Sequence, residues 1–203
     1  AGGKTVMLDC GANAECTPEF LLQFAIVGSL HAKKSLGLQN PRVGLLNIGT
    51  EDTKGTPLQK EAYAKLMKAR EQGLLNFVGN VEARDVPAGV ADVVVADGFS
   101  GNVLLKTLEG TVDMLMKNLK QSFMSSLRTK IGAALVMPGL RVLKKKLSTS
   151  EYGGAVLLGV NKPVIKAHGN SKAEGFCSAI RVASEFAASD AIAQIEAAGA
   201  KKE

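Results

Sequence analysis

The chain has 203 residues, 46% of them hydrophobic and 22% charged, with 22 glycines and a formal charge of +6, a composition ordinary for an α/β protein of one domain, or of a large domain with an appendage. No apolar run reaches the roughly 18 residues that cross a membrane, and the N-terminal AGGKTVMLDCG lacks the basic-then-apolar order of a signal peptide. Cys10, Cys16 and Cys177 are sparse and without CxxC spacing, which fits reduced thiols in the cytoplasm rather than a disulfide framework or a metal site.

The first unit reads as a strand near Thr5–Leu8, a loop Asp9-Cys10-Gly11-Ala12-Asn13, and a helix with Thr17 as N-cap, Pro18 at its first position and Glu19 in its first turn. Phe20, Leu21, Phe24 and Val27 fall on one face and Leu22 and Ile26 on another, predicting a helix buried most of the way round. His31, at the helix end, reads as a surface residue. Gln39-Asn40-Pro41 is a turn before a second strand, Val43–Ile48. That strand ends in Gly49-Thr50-Glu51-Asp52-Thr53-Lys54-Gly55 and a helix from Pro57 to Gln72.

A weaker third strand, Asn76–Val78, leads through Gly79-Asn80 and an irregular stretch to Gly89. The fourth, Val93–Val95, is β-branched and too short for a helix, so it suits a strand buried on both faces. It breaks at Asp97-Gly98-Phe99-Ser100-Gly101-Asn102 before a helical pattern through Val103, Leu104, Thr107, Leu108 and Thr111. A fifth strand, Pro163–Lys166, ends in Ala167-His168-Gly169-Asn170-Ser171, and a long helix runs from Lys172 to Ala198.

Strands alternating with helices predict a parallel sheet with right-handed crossovers, whose ligands sit beyond the carboxyl ends of the strands. Four of the five strand ends carry Gly with Asn or Thr and an ionisable residue: Asp9, Lys54, Asp97 and His168. Small residues let the backbone approach a ligand, and helix starts favour anions, so the set points to a phosphate or phosphorylated ligand. No loop reads GxGxxG or GxxxxGK[ST], which leaves out the dinucleotide and Walker fingerprints. Lys54 is read as a phosphate ligand or charge stabiliser, against a solvated loop lysine. His168 is a general acid or an oxyanion donor, against a histidine that only holds its turn. Asp9 and Asp97 are bases or orienters of Lys54, against plain helix caps. Cys10 is disfavoured as a nucleophile, because neither histidine is close in sequence.

The segment from 112 to 147 departs from the α/β rhythm. Val112, Leu115, Met116, Leu119, Phe123, Leu127, Ile131 and Leu135 keep a three-or-four spacing, predicting an amphipathic helix that breaks near Pro138-Gly139. A second short basic helix follows. Between Lys117 and Leu147 lie Lys117, Lys120, Arg128, Lys130, Arg141, Lys144, Lys145 and Lys146 and no acid, so the charge of the chain is concentrated here. Such a pair of helices suits the headgroup region of an anionic membrane, or a dimerisation arm with a solvated basic face. Nucleic acid is disfavoured by the absence of a recognised motif and by an aromatic content of only 4%.

The strings LDCGAN with FAIVGS, PRVGLLNIGTEDTKG, NFVGNVEARD, ADVVVADGFSGNVLLKTLEG, and YGGAVLLG with PVIKAHGNS span roughly Lys4 to Ile180. In them the chain resembles the bacterial acyl-acyl-carrier-protein:phosphate acyltransferases, phospholipid-synthesis enzymes that make acyl phosphate. The resemblance implies the isocitrate/isopropylmalate dehydrogenase fold, a three-layer α/β arrangement around a parallel-rich sheet with an amphipathic helical arm. The organisation expected is an α/β core over 1–111, the basic arm over 112–150, and a return to the core with the C-terminal helix over 151–203. The family's preceding segment, with its MGGD and SAGNTGA motifs, is not in this sequence, so the chain is expected to correspond to the C-terminal portion of that fold.

The resemblance further implies a homodimer with its amphipathic helices toward an anionic membrane surface, in the cytoplasm, acting on acyl carrier protein and inorganic phosphate. No cofactor and no metal is implied. Lys54 is then assigned to phosphate or oxyanion, His168 to proton transfer or oxyanion, and Asp97 with Asn102 to positioning. Gly11, Asn13, Gly49, Thr50, Gly98, Ser100, Gly101, Asn102 and Gly169 are assigned to binding substrate or phosphate. The alternatives are a nicotinamide-dependent dehydrogenase of the same general fold and a non-catalytic membrane-binding module.

Overall fold

The computed structural model describes residues 4–147, 154–167, 169, 171–190 and 192–193, without the side chains of 144–147. The chain divides into two units, one of 1–105 with 191–203 and one of 106–190. In the first unit, strands β1 (Val6–Leu8), β2 (Arg42–Asn47), β3 (Asn76–Glu82) and β4 (Val93–Val95) form one sheet in the order β1-β4-β2-β3. Every pairing in it is parallel. All four strands therefore end at one edge, as the strand–helix alternation predicts.

Helices α1 (Pro18–Ser35) and α2 (Pro57–Glu71) pack on each other and on this sheet. The core lies between them and the sheet: Val43, Leu45, Phe77, Val93 and Val95 from the strands, against Leu21, Ala25, Ala32, Ala62, Leu66 and Ala69 from the helices. The start of α1 is as expected: Thr17 accepts the Phe20 N–H at 3.3 Å, with Pro18 and Glu19 in the first turn. Its buried face differs. Leu21, Ala25, Gly28, Ser29 and Ala32 point inward while Phe20 is 40% exposed. Small residues were needed there, because a Cβ on Gly28 would stand 2.7 Å from a Leu8 methyl and 2.8 Å from one of Val93. Helix and strand thus approach more closely than aromatic side chains allow. His31 is half-buried rather than on the surface, and burial lowers its pKa.

Two boundaries differ with clear causes. β3 does not stop at Val78 but continues to Glu82, because Gly79, at φ +99°, absorbs a bulge. Val43 pairs with Phe77 and Gly44 with Gly79, which leaves Val78 unmatched. Helix α3 (Gly98–Phe123) begins directly after Asp97, so the stretch 98–102 is its first turn and not a loop. At the opposite, N-terminal edge, Arg42 grips Asp92 through Nε at 3.0 Å and an NH2 nitrogen at 2.9 Å and donates to the Val90 and Gly89 carbonyls. This bidentate geometry ties the start of β2 to the turn before β4.

The second unit holds the rest of α3, then α4 (Leu127–Leu147), a two-stranded antiparallel sheet of β5 (Ala155–Val156) and β6 (Ile165–Lys166), and α5 (Ala173–Ala188). The helical break falls at 124–126, not at Pro138, which lies inside α4. Ser126 and Thr129 explain the position: Ser126 N–H donates to Thr129 Oγ1 at 3.0 Å and Thr129 N–H to Ser126 Oγ at 3.2 Å, a reciprocal cap that starts a new helix. The expected fifth strand is the two-residue β6 and belongs to the small sheet, not to the parallel one. α5 ends at Ala188, where Ser189 turns extended and its hydroxyl donates to the Phe186 carbonyl at 2.7 Å; residues 192–193 are helical again, and the rest of the expected helix to Ala198 lies outside the described residues. Among the described residues no helix is long and apolar enough to cross a membrane.

Candidate functional site

The shared carboxyl edge of the first unit carries three of the loops singled out by sequence. After β1, Asp9 is buried and its carboxylate gathers the loop around itself. Oδ1 accepts the N–H groups of Gly11 at 2.8 Å and Ala12 at 2.9 Å, and Oδ2 accepts the Asn13 N–H at 2.7 Å and its Nδ2 at 2.9 Å. Burial alone would raise the Asp9 pKa, but these hydrogen bonds outweigh it and hold the carboxyl below its ordinary range. The anion cradle that Gly11 and Asn13 suggested exists, and in this conformation the anion in it is Asp9. Beside it the Cys10 thiol is raised to about 11, by burial first and by the Asp9 charge second, so at neutral pH it is a thiol and not a nucleophilic thiolate.

The β1 loop presses on the start of α3. Gly98 N–H donates to the Asn13 carbonyl at 2.9 Å, and a Cβ there would lie 2.4 Å from that oxygen. A Cβ on Gly101 would lie 1.9 Å from the Asp9 carbonyl oxygen, and one on Gly11 3.5 Å from the Asn102 side chain. Asp97, buried, caps the helix: its Oδ1 accepts the Ser100 N–H and its Oδ2 the Ser100 hydroxyl, both at 2.8 Å. The unpaired N–H groups that a glycine-rich loop would have offered a ligand are thus largely engaged within the protein.

The loop after β2 is different. Gly49 is buried, whereas Thr50, Glu51, Asp52, Thr53 and Lys54 are all exposed. The Lys54 N–H donates to the Glu51 carbonyl at 3.2 Å and its carbonyl accepts Asn47 Nδ2 at 3.1 Å. Among the described residues none makes an ion pair or hydrogen bond with the Lys54 ammonium. A Cβ on Gly49 would meet Lys54 Cγ at 3.1 Å, so the glycine leaves room for the lysine stem. This loop therefore presents the Lys54 ammonium, beside the exposed carboxylates of Glu51 and Asp52, at the edge where parallel sheets hold their ligands.

Gly11, Asn13, Asp97, Gly98, Ser100, Gly101 and Asn102 come together in one contact cluster; Gly49, Thr50 and Lys54 lie on the next loop of the same edge. Gly169, exposed in a turn, lies in the second unit, and His168 and Asn170 fall outside the described residues. Sequence reasoning passed over Asn47 and Asn80. Both are buried, and Asn80 Nδ2 donates to the Glu51 carbonyl at 2.7 Å. The available signal was an asparagine within otherwise apolar strand sequence.

Comparison with known proteins agrees with the strand-end motifs. The model of a family described as fatty acid synthesis protein matches residues 1–194. The chain is 54% identical to the phosphate acyltransferase of Geobacillus thermodenitrificans over 196 residues, which are 97% of this chain and 58% of the relative. It is 56% identical over 182 residues to that of Lysinibacillus sphaericus, covering 90% of this chain and 54% of the relative. Against that of Caldanaerobacter subterraneus subsp. tengcongensis the identity is 47% over 194 residues, 96% of this chain and 57% of the relative. The chain thus spans less than two thirds of the length of these curated relatives.

Proposed function

The chain belongs to the fatty acid synthesis protein family, and from that premise we propose that it acts in acyl transfer from acyl carrier protein to inorganic phosphate, giving acyl phosphate for phospholipid synthesis. In this reaction a phosphate oxygen attacks the thioester carbonyl, a tetrahedral oxyanion forms, and the C–S bond breaks. The carrier thiolate leaves and takes up a proton. Phosphate is itself the nucleophile, so no covalent enzyme intermediate is needed. The protein's task is to hold an anion against a thioester and offset the charge that develops.

The observation that carries the reading is the exposed Lys54 at the carboxyl edge of the parallel sheet, its ammonium without a partner among the described residues. We assign its ammonium to phosphate and the developing oxyanion, with Gly49 and Thr50 allowing close approach. His168 is assigned to proton transfer or the oxyanion, and Gly169 to binding substrate or phosphate. Asp97, with both oxygens engaged by Ser100, fixes the start of α3 and thereby places Asn102. Gly11, Asn13, Gly98 and Gly101 bring the β1 loop close to that helix start, where substrate would lie. The sheet with its helices fits within a larger three-layer arrangement of the isocitrate/isopropylmalate dehydrogenase kind.

The arm formed by α3 and α4 supports the remaining assignments: a homodimer in the cytoplasm, peripheral to an anionic membrane, with a basic surface suited to an acidic carrier protein. A nicotinamide-dependent dehydrogenase or a non-catalytic module gains no support from relatives named phosphate acyltransferase. Incubation with palmitoylated carrier protein and phosphate is the test. Acyl phosphate should accumulate in a phosphate-dependent way, and release of free fatty acid alone would refute the assignment.

A further inference from the structure

Lys54 is held at both of its backbone groups, and each hold is rooted in a different strand. Its N–H donates to the Glu51 carbonyl, which also accepts Asn80 Nδ2 at 2.7 Å from β3. Its carbonyl accepts Asn47 Nδ2 at 3.1 Å from β2, while Asn47 Oδ1 accepts the Ile48 N–H at 2.8 Å. Gly55, at φ +93°, closes the loop over the same amide, where a Cβ would stand 2.6 Å from Asn47 Oδ1. Since no side chain among the described residues grips the ammonium, the backbone anchors decide where it is presented.

We propose that Asn47 and Asn80 are positioning residues that set the location of Lys54, and that Asn80 does so for turnover rather than for stability. This rests on the assignment of Lys54 to phosphate and oxyanion. Two features of Asn80 separate the roles. First, its Oδ1 is buried with no hydrogen-bond partner among the described residues, an acceptor in the interior that an apolar side chain would avoid. Second, it faces the loop only because of the Val78/Gly79 bulge. With the bulge, Asn80 pairs with Leu45 and shares its face; a regular strand would place residue 80 on the opposite one. A bulge that re-aims a polar residue, and an orphaned acceptor, are both local costs, and what they secure is one donor beneath the Glu51 carbonyl.

The test uses Asn80→Leu, Asn47→Asp, Lys54→Ala and the two doubles, with thermal melting and steady-state kinetics at varied phosphate. Asn80→Leu removes the orphaned oxygen and leaves the carbonyl of the exposed Glu51 to water, so its Tm should hold or rise. Asn47→Asp keeps the acceptor for Ile48 but sets a carboxylate oxygen against the Lys54 carbonyl in place of the donor, so its kinetics are read beside its Tm. Each should lower kcat/KM for phosphate by about tenfold, as a misplaced charge does. In the Lys54→Ala background each should add no more than about twofold, because both act through that side chain.

Wild-type kcat/KM in both folded asparagine variants, with Lys54→Ala impaired, overturns this inference alone. So does a full multiplicative loss in the doubles, or a loss that only follows a falling Tm. Wild-type kcat/KM in Lys54→Ala overturns the assignment of Lys54 and this inference with it, as does a parent chain that makes no acyl phosphate.

Discussion

Gly101 sits so close to Asp9 that a β-carbon on it would stand 1.9 Å from the Asp9 carbonyl oxygen. The first turn of α3 thus rests directly on the backbone at the end of β1. Both partners are backbone, so neither can swing aside. Gly101→Ala should cost at least the about 1–3 kcal/mol of an overpacked core site. Gly110, exposed in the same helix with nothing within 4 Å of its virtual Cβ, is the control. Gly110→Ala should gain about 0.5–1 kcal/mol through helix propensity and chain entropy. Urea midpoints for both variants check the pair, and a neutral Gly101→Ala would refute the close approach.

Asp9 makes the same region sensitive to acid. Its carboxyl is held below the ordinary range in the folded protein, against about 3.9 when unfolded. The sign follows: its stabilisation is fully present above the unfolded value and is lost as pH falls through the folded one. Asp9→Asn replaces a four-fold acceptor with an amide that meets donors with a donor, and should cost about 1.5–3 kcal/mol at neutral pH. The gap between wild type and variant should narrow as the pH is lowered below about 4. Denaturation followed from pH 7 to pH 3 measures this, and a constant gap would show that the carboxylate is not the anchor.

The sequence was most legible where one local rule decides. Thr17-Pro18-Glu19 announced the start of α1, and the run Val93–Val95 could only be a short buried strand. It was least legible where a tertiary contact chooses between local options. Gly98 and Gly101 read as loop because glycine is poor in helices, yet they are helical, since the β1 loop leaves no room for a side chain. Gly79 likewise read as a strand end, when it absorbs a bulge and lets β3 go on. The candidate site followed the same division. Asp9, Lys54 and Asp97 were located from strand ends, but that the two carboxylates serve neighbouring groups of their own loops while the Lys54 ammonium meets no partner among the described residues depends on distances. Asn47 and Asn80 were missed because a buried asparagine in a strand carries no motif.

Lys54→Ala should reduce turnover by about 10²-fold or more, the scale for losing one oxyanion or phosphate donor. The side chain is exposed, so the melting temperature should not move. His168→Asn keeps a polar group but no group that titrates near neutrality. It should cost about 10²–10⁴-fold and flatten the pH–rate profile if the histidine carries the proton. Initial rates across pH separate the two: Lys54→Ala lowers the whole profile, whereas His168→Asn changes its shape. An unchanged profile would make His168 a turn residue only.

The arm is the last case, where exposure and charge occur together. Leu127, Ile131 and Leu135 recur every four residues along α4 and are 79%, 65% and 79% exposed. Water is a poor surrounding for such a stripe, and the sequence around it supplies Arg128, Lys130, Arg141, Lys144, Lys145 and Lys146 without an acid. Each cation near an anionic surface contributes on the order of 1 kcal/mol, screened by salt, and inserted apolar area adds roughly 25 cal/mol per Å². Neither contribution alone anchors a protein firmly, so binding should be reversible and need both. Reversing Lys144, Lys145 and Lys146 to Glu should therefore release the protein from anionic vesicles, and Leu135→Glu should do so without touching the strand-end loops. Sedimentation with anionic and neutral vesicles at two salt concentrations is the measurement. If the unaltered protein ignores anionic vesicles at low salt, the stripe serves a second copy of the chain or the carrier protein, and Leu135→Glu should then shift the oligomeric state or the KM for the carrier instead.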